Sequence, residues 1–318
     1  NWSIDFSNCN ASIMNPEKSI PVTYKVLSLL SVIRGYNILV LVAAQYLAAI
    51  FIFSPKKSLR IVLLDFHFFL IVLASACVVA AGYIINNFYD AKLDQINRPI
   101  KTNLDAFVRQ ETKLKIYFLL NFLGFAFGWI ISWRAALFFG IYIFSIWFYS
   151  HKLKRSPFIG LFSVTVLTIL PFFVVFVYYR NFSKVIFVHA TFLFLVLLLR
   201  GLMKDLQNIK GAIANDYNTF PVRYGERNTR KLGIWIIITT IFPVTILFNY
   251  NGIGYMKYYF YFSLMLLVLI AFFLWKANLR KHYVTLHNVL KIMILLGLLS
   301  LLFIDPSIVL ERVIDRLN

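Results

Sequence analysis

Nine long apolar runs dominate this sequence and restrict the chain to a helical bundle inside a membrane. A helix needs about 20 apolar residues to cross a hydrocarbon core of about 30 Å. All but the fourth run are near or above that length, and the fourth predicts half of a tight helical hairpin around Arg134. We therefore predict an all-α, polytopic membrane bundle of about nine transmembrane helices. The runs lie near residues 30–53, 61–86, 114–133, 135–150, 157–179, 184–203, 231–249, 255–275 and 284–304.

The composition agrees with an integral, multi-pass membrane protein, for which we predict a bacterial inner membrane. Hydrophobic residues make up 60% of the 318 residues and charged residues 14%, against about 25% charged in an average soluble domain. The net charge is +19, which could suit a nucleic acid. However, the basic residues lie in short loops between apolar runs, a pattern that favours membrane lipids and a phosphorylated substrate, with no nucleic acid partner.

The distribution of Lys and Arg also predicts the orientation. The loops after the second, fourth, sixth and eighth runs contain more than twice as many Lys and Arg residues as the alternate loops. Because cytoplasmic loops carry an excess of positive charge, these loops should face the cytoplasm. The N-terminus is then predicted to be cytoplasmic.

The first polar motif follows the second apolar run. Asn86, Asp90 and Asp94 are spaced four residues apart. If the helix continues past the membrane boundary, the three side chains lie on one face. Two carboxylates and an amide oxygen suit Mg²⁺, which is usually held by one or two carboxylates and substrate phosphates. By contrast, Asp105 reads as an ordinary loop residue.

The second polar motif follows the sixth run, so it leaves the membrane on the same side as the first. Asp205 and Asn208 are three residues apart, and Arg200, Lys204 and Lys210 lie close by in the sequence. Carboxylates beside a membrane are costly without partners and so indicate a functional site. Carboxylates next to cations are explained if a diphosphate bridges them through a metal ion.

Four segments resemble, in order, the motifs of the UbiA superfamily of intramembrane prenyltransferases. The segment Asn86 to Pro99 is similar to the family's NDxxDxxxD motif and the NRP that often follows it. Lys204 to Gly211, followed by Thr219 to Gly225, resembles the second motif and its trailing TLPxxxG segment. Arg34 to Asn37 resembles an opening RPxN element, and Tyr149 to Arg155 resembles a central YSxxLKR element. The resemblance covers nearly the whole chain.

The resemblance implies a site for a polyprenyl diphosphate, a lipophilic acceptor and Mg²⁺. The implied catalytic carboxylates are Asp90, Asp94 and Asp205. The implied metal ligands are Asn86, Asp90, Asp94, Asp205 and Asn208. The implied substrate-binding residues are Arg34, Asn37, Asn86, Arg98, Lys101, Tyr149, Lys152, Lys154, Arg155, Arg200, Lys204 and Lys210. The domain would span residues 29–304, between an N-terminal tail over 1–28 that is partly disordered or non-native and a C-terminal tail over 305–318.

The sequence departs from the family pattern at three positions. Asn87 replaces the first Asp of the first motif, Asn208 stands where an Asp is common, and Ala212 stands where another Asp often follows the glycine. Asparagine can coordinate a metal through its amide oxygen but lacks the charge. These changes predict weaker metal binding at the second motif, and they leave a degenerate, non-catalytic homologue or a lipid-binding membrane protein as alternatives.

The acceptor is predicted from a short segment. Arg200 to Asp205 resembles the RxxxKD form of enzymes that prenylate geranylgeranylglyceryl phosphate, so we favour a magnesium-dependent transfer of ether-lipid type. Prenylation of an aromatic acid in quinone biosynthesis is the alternative, and haem farnesylation and terpene cyclisation stay open. A transporter is disfavoured, because transporters place ionisable residues near the bilayer midplane, whereas these carboxylates lie at helix ends.

Overall fold

The apolar runs form long helices, because a backbone in lipid must satisfy its polar groups internally. A computed structural model describes residues 21–55 and 57–304, and no strand occurs in these ranges. The helices are α1 Val22–Val32, α2 Gly35–Ala48 (continued by a π-helical turn, Ala49–Phe53), α3 Leu59–Leu63, α4 Phe66–Tyr89, α5 Ala91–Asn97, α6 Pro99–Asp105, α7 Gln110–Ile131, α8 Trp133–His151, α9 Pro157–Tyr179, α10 Lys184–Gln207, α11 Ile209–Ala214, α12 Phe220–Phe248, α13 Lys257–Lys276 and α14 Arg280–Ser300.

The predicted all-α membrane bundle is confirmed. Within the described part of the chain, eight helices are long and apolar enough to cross a membrane. The remaining long helix, α8, matches the fourth apolar run. Only Ser132 separates α7 from α8, and its hydroxyl caps α8 by accepting a hydrogen bond from the backbone N–H of Ala135 at 3.1 Å. The predicted hairpin therefore turns at Ser132, and the cytoplasmic orientation of the N-terminus stays a prediction.

The predicted tails fall largely outside the described residues. Residues 1–20 and 305–318 belong to them, and the predicted boundary at residue 28 falls inside α1. This helix packs against α6.

One face of α10 packs in the hydrophobic core, and another face carries polar residues. Leu199, Leu202, Met203 and Leu206 are buried in the main hydrophobic core. A helix repeats about every 3.6 residues, so the intervening polar positions emerge on another face. That face lines a large internal cavity. The apolar pattern that fixes the helix in the core thereby fixes the direction of its charged residues.

Candidate functional site

The first motif lies at a break between two helices. α4 ends at Tyr89, Asp90 has φ −89° and ψ 0°, and α5 begins at Ala91. The helix is therefore interrupted at Asp90 and does not run on unbroken. The backbone hydrogen bonds nevertheless continue across the break. The backbone N–H of Asp90 donates to the backbone oxygen of Asn86 at 2.9 Å, and the backbone N–H of Asp94 donates to the backbone oxygen of Asp90 at 2.8 Å. Asn86, Asp90 and Asp94 consequently all line the cavity, as the spacing predicts.

Lys154 reaches the first motif from the turn after α8. Its ammonium donates a hydrogen bond to the amide oxygen of Asn86 at 2.8 Å and forms an ion pair with the carboxylate of Asp90. Asp90 is 4% exposed. A buried carboxylate is stable only with such a partner. Lys154 therefore neutralises Asp90 and links it to Asn86.

The second motif faces the same cavity from α10 and its C-terminal end. Arg200, Lys204, Asp205 and Asn208 line the wall. The side-chain oxygen of Asn208 is buried and has no hydrogen-bond partner among the described residues. A buried oxygen of this kind is costly unless a ligand completes it. Asn208 thus presents, three residues after Asp205, an oxygen that has no hydrogen-bond partner in the described part of the chain.

Arg280, at the start of α14, joins the two motifs. Its guanidinium donates to the backbone oxygen of Asn97 at 2.8 Å and to the backbone oxygen of Gln207 at 3.2 Å. Gly211 completes the junction, because a Cβ atom at that position would lie 2.2 Å from the side-chain nitrogen of Asn97. The ends of α5 and α10 are therefore held at one end of the bundle, and both motifs face one space.

Arg34 closes this polar end from a third side. It adopts a left-handed backbone conformation, φ 53°, at the junction of α1 and α2. Such a conformation is rare for a residue with a side chain and clusters at functional sites. The guanidinium lies 4.9 Å from the ring centroid of Tyr83, and Asn37 donates to the Tyr83 hydroxyl at 3.4 Å. All three side chains line the cavity.

Arg98 and Lys101 also line the polar end. Burial and the neighbouring Arg34 lower the pKa of Arg98, whereas Asp94 and Asp90 raise it. The guanidinium stays charged, since an arginine pKa starts far above neutral pH. Lys101 forms an ion pair with Asp105 at 2.5 Å.

The cavity has two chemically different ends. Its volume is about 780 Å³, and its far end is lined by apolar and aromatic side chains from several helices. Pockets of this size bind ligands through apolar walls and a few convergent polar groups. Phe192, Phe260 and Leu298 belong to the apolar part, and Tyr149 also lines the cavity. The cavity suits an amphiphile with an anionic head and a long hydrocarbon chain.

The donor atoms at the polar end fit Mg²⁺ when a phosphate ligand is also present. Among the residues that the structure describes, no group of three or more His, Cys, Asp or Glu could hold a metal alone. Asp90, Asp94, Asp205 and Asn208 are instead hard oxygen donors on two walls of one cavity. This arrangement matches magnesium sites completed by substrate phosphates. The five proposed metal ligands stay a prediction.

Three predicted substrate-binding residues do not line the cavity. Lys152 and Lys210 are exposed. Arg155 is also exposed, and its guanidinium lies 5.4 Å from the ring centroid of Tyr217, which does line the cavity. The remaining nine predicted substrate-binding residues, Arg34, Asn37, Asn86, Arg98, Lys101, Tyr149, Lys154, Arg200 and Lys204, all line it.

Two tyrosines of the site were missed in the sequence. Tyr83 precedes Asn86 by three residues and Asp90 by seven, a helical spacing that could have revealed it. Tyr217 lies in the loop after α11, and its hydroxyl is 3.5 Å from a carboxylate oxygen of Asp90. Burial, followed by the nearby Asp90 carboxylate, raises the pKa of Tyr217. The phenol therefore stays protonated at neutral pH and can donate to Asp90.

Comparisons with known proteins agree with this geometry. The sequence model of the UbiA prenyltransferase family matches residues 38–296. The chain belongs to the UbiA prenyltransferase family. It is 28% identical over 240 residues to the digeranylgeranylglyceryl phosphate synthase of Methanobrevibacter smithii, covering 71% of this chain and 80% of that protein. It is 27% identical over 248 residues to the synthase of the same name from Korarchaeum cryptofilum, covering 76% of this chain and 86% of that protein.

Solved structures share the fold of this family member. A structure of digeranylgeranylglyceryl phosphate synthase has a TM-score of 0.67 at 18% identity, covering 87% of this chain and 97% of that chain. A UbiA homologue from Archaeoglobus fulgidus, bound to DMAPP and Mg²⁺, has a TM-score of 0.62 at 13% identity, covering 86% and 99%. The UbiA fold is therefore confirmed, and the protein is a prenyltransferase by family.

Proposed function

We propose that the protein transfers a prenyl group from a polyprenyl diphosphate to a hydroxyl of geranylgeranylglyceryl phosphate, with Mg²⁺ as cofactor. One observation carries the proposal. The carboxylates of both motifs line the polar end of one cavity whose remainder is apolar, together with several cations that form no ion pair within the described ranges. The names of the two archaeal relatives support the choice of acceptor, and the Mg²⁺ bound with DMAPP in the A. fulgidus homologue supports the choice of metal.

The chain's own residues would bind the diphosphate and orient it. Lys154, Arg98 and Lys204 place positive charge around the polar end of the cavity. Asp90 and Asp94 on one wall, with Asp205 and Asn208 on the other, would hold Mg²⁺ against the phosphate oxygens. When bound, the metal would neutralise the negative charge that develops on the departing diphosphate. Preorganised cations add to that stabilisation in a site with little water.

The apolar part of the cavity would hold the prenyl chain and exclude water from the allylic carbon. The bond between the first prenyl carbon and the diphosphate oxygen breaks, and a carbon–oxygen ether bond forms to the acceptor. The hydroxyl proton passes to an oxygen of the departing diphosphate. Tyr149 could shield the cationic carbon, since aromatic faces attract cations. Exclusion of water matters here because water would compete with the acceptor.

Product analysis with competing acceptors tests the proposal. Purified protein receives Mg²⁺, geranylgeranyl diphosphate, geranylgeranylglyceryl phosphate and 4-hydroxybenzoate, and mass spectrometry identifies the product. We expect the prenylated glyceryl phosphate. A prenylated 4-hydroxybenzoate would instead establish the aromatic-acid alternative. If folded protein gives no product and releases no diphosphate with any donor length, the protein is a degenerate homologue.

The host membrane is a separate proposal. The protein is a multi-span helical membrane protein of the UbiA family. The archaeal origin of the relatives described above gives no support to a bacterial inner membrane. We therefore propose a cell membrane whose lipids include ether lipids, with both motifs on its cytoplasmic side. Accessibility labelling of Lys210, which is exposed beside the second motif, would test the side.

The change Asn208→Asp should strengthen magnesium binding. Asn208 already presents a buried oxygen without a partner in the described structure, and a carboxylate adds the missing charge. Because affinity for hard cations rises with ligand charge, we expect the Mg²⁺ concentration for half-maximal diphosphate release to fall by about tenfold. Asn208→Ala is the matched control and should raise it. The same Mg²⁺ dependence in all three proteins would contradict a metal role for this position.

A further inference from the structure

We infer that α14 supplies a second anion subsite, which binds the phosphate monoester of the acceptor lipid. The diphosphate of the donor would lie on the opposite wall, against the first motif. The subsite consists of His287, Asn288 and Lys291, together with Arg200 of α10. This inference rests on the proposed function and specifies how the acceptor is recognised.

A polar stripe on α14 faces the cavity. His287, Asn288 and Lys291 all line it, although the helix is otherwise apolar enough to cross a membrane. Residues three and four positions apart share one face of a helix, so the three side chains form one stripe. Ionisable residues within a membrane-spanning helix are costly and indicate binding or transport sites. The stripe therefore calls for a polar ligand inside the cavity.

Lys291 reaches toward the polar end of the cavity. The Cα–Cβ bonds of a helix tilt toward its N-terminus, and α14 begins at Arg280, which contacts both motifs. The ammonium of Lys291 lies 4.8 Å from the ring centroid of Tyr36 in the first turn of α2. It thus follows the usual course of a long cationic side chain that extends from an apolar helix to a polar region.

Arg200 completes the subsite from the neighbouring helix. The Nδ1 atom of His287 lies 3.4 Å from the backbone oxygen of Arg200, so the two residues adjoin. The Nε of Arg200 is buried and has no hydrogen-bond partner among the described residues, although its side chain lines the cavity. A buried guanidinium donor without a partner is costly. An anionic oxygen would satisfy it.

The charge balance of the cavity leaves room for a second anion. The cavity is lined by three carboxylates but by seven Lys and Arg side chains, which are Arg34, Arg98, Lys101, Lys154, Arg200, Lys204 and Lys291. The two ion pairs within residues 21–55 and 57–304 engage Lys101 and Lys154. A diphosphate that carries its metal has little net charge left. A phosphate monoester brings about −1.5 to −2 more, which matches the excess.

The test compares two acceptors that differ only in the phosphate. Wild-type protein and Lys291→Gln in phosphatidylcholine nanodiscs receive geranylgeranylglyceryl phosphate or geranylgeranylglycerol, with saturating donor and Mg²⁺. We expect Lys291→Gln to raise the KM for the phosphate acceptor by about 10- to 100-fold, the range for one charged hydrogen bond. The KM for the donor and the rate with geranylgeranylglycerol should stay within twofold of wild type.

Two further variants serve as controls. Lys281→Gln removes an exposed lysine of the same helix that does not line the cavity, and should change neither KM. Lys291→Arg retains the charge and should restore most of the affinity for the phosphate acceptor. If Lys291→Gln does not fold, Asn288→Ala replaces it in the same assay.

Four other results with an active wild-type protein would overturn the inference. An equal loss with both acceptors would show that Lys291 supports the structure, and a matching rise in the donor KM would assign it to the diphosphate. An effect that occurs only when anionic lipids are added to the nanodiscs would assign it to lipid headgroups. If inorganic phosphate inhibits wild type and Lys291→Gln equally, the phosphate site lies elsewhere. No product from the wild type with any acceptor would refute the proposed function instead.

Discussion

Replacing Asp90 with alanine is expected to reduce prenyl transfer by about 10³-fold, or about 4 kcal/mol of transition-state stabilisation. The change removes a proposed metal ligand and also leaves the partly buried ammonium of Lys154 without its ion-pair partner. Diphosphate release in the presence of Mg²⁺ and donor measures the effect. Asp94→Ala should cause a similar loss of activity, because Asp94 is a proposed metal ligand on the same wall. Lys154 keeps its ion pair with Asp90 in this variant, so the loss would report on the metal site alone.

Controls separate chemistry from folding. Asp90→Asn keeps an oxygen that can accept from Lys154, so it should insert and fold like wild type while losing most of its activity. Glu111→Ala removes an exposed carboxylate at the start of α7 and should have full activity. Full activity of both Asp90→Ala and Asp94→Ala would refute the metal assignment at the first motif.

The change Asp105→Ala is expected to cause the largest loss of stability, about 3 kcal/mol. Asp105 is 3% exposed and accepts hydrogen bonds from the hydroxyl of Ser31 at 2.7 Å, the amide of Asn87 at 3.0 Å and the ammonium of Lys101 at 2.5 Å. Its removal leaves these donors unpaired and disconnects α1, α4 and α6. Thermal unfolding of the detergent-solubilised protein measures the loss.

Lys101→Met is the comparison for this network. Lys101 is 27% exposed along its side chain, and partly exposed ion pairs contribute about 1 kcal/mol or less. It should therefore cost much less than Asp105→Ala, and Asp105→Asn should fall between them. A similar unfolding temperature for Asp105→Ala and wild type would show that the bonds to Asp105 contribute little.

The same network explains one departure from the family pattern. The amide nitrogen of Asn87 donates to Asp105, and its amide oxygen accepts from Lys113 at 3.4 Å. An aspartate at position 87 would place a second carboxylate against Asp105, and like charges at that distance repel. Asn87 does not line the cavity. Here it has a structural role, and the interpretation of Asp105 as an ordinary loop residue is wrong.

Local patterns in the sequence predicted most of the long helices and the common direction of the polar side chains in the first motif. Apolar length predicted the long helices, since a helix satisfies its own backbone. The four-residue spacing of Asn86, Asp90 and Asp94 predicted a common direction, which survives the break at Asp90 because the backbone hydrogen bonds continue across it. These features depend on neighbours within one or two helical turns.

Contacts between distant segments could not be predicted in this way. Lys154 reaches Asp90 across 64 positions of the chain, and Arg280 reaches Asn97 across 183. The same applies to Lys291, which carries no motif and lines the cavity only because α14 packs against α10. The periodicity of a sequence predicts which residues share one face of a helix, but it does not predict which other helix packs against that face.

The ion pair of Lys154 with Asp90 also bears on the order in which ligands arrive. A resident ammonium already neutralises the carboxylate, so the resting protein needs no divalent ion to keep Asp90 in its wall. A metal that came alone would have to compete with a tethered cation. If the proposed diphosphate bound, Lys154 would exchange the carboxylate for a phosphate oxygen, and Asp90 would then be able to hold the metal that accompanies the diphosphate. Donor and magnesium should therefore load together, and a chelator should halt turnover without loosening the empty protein.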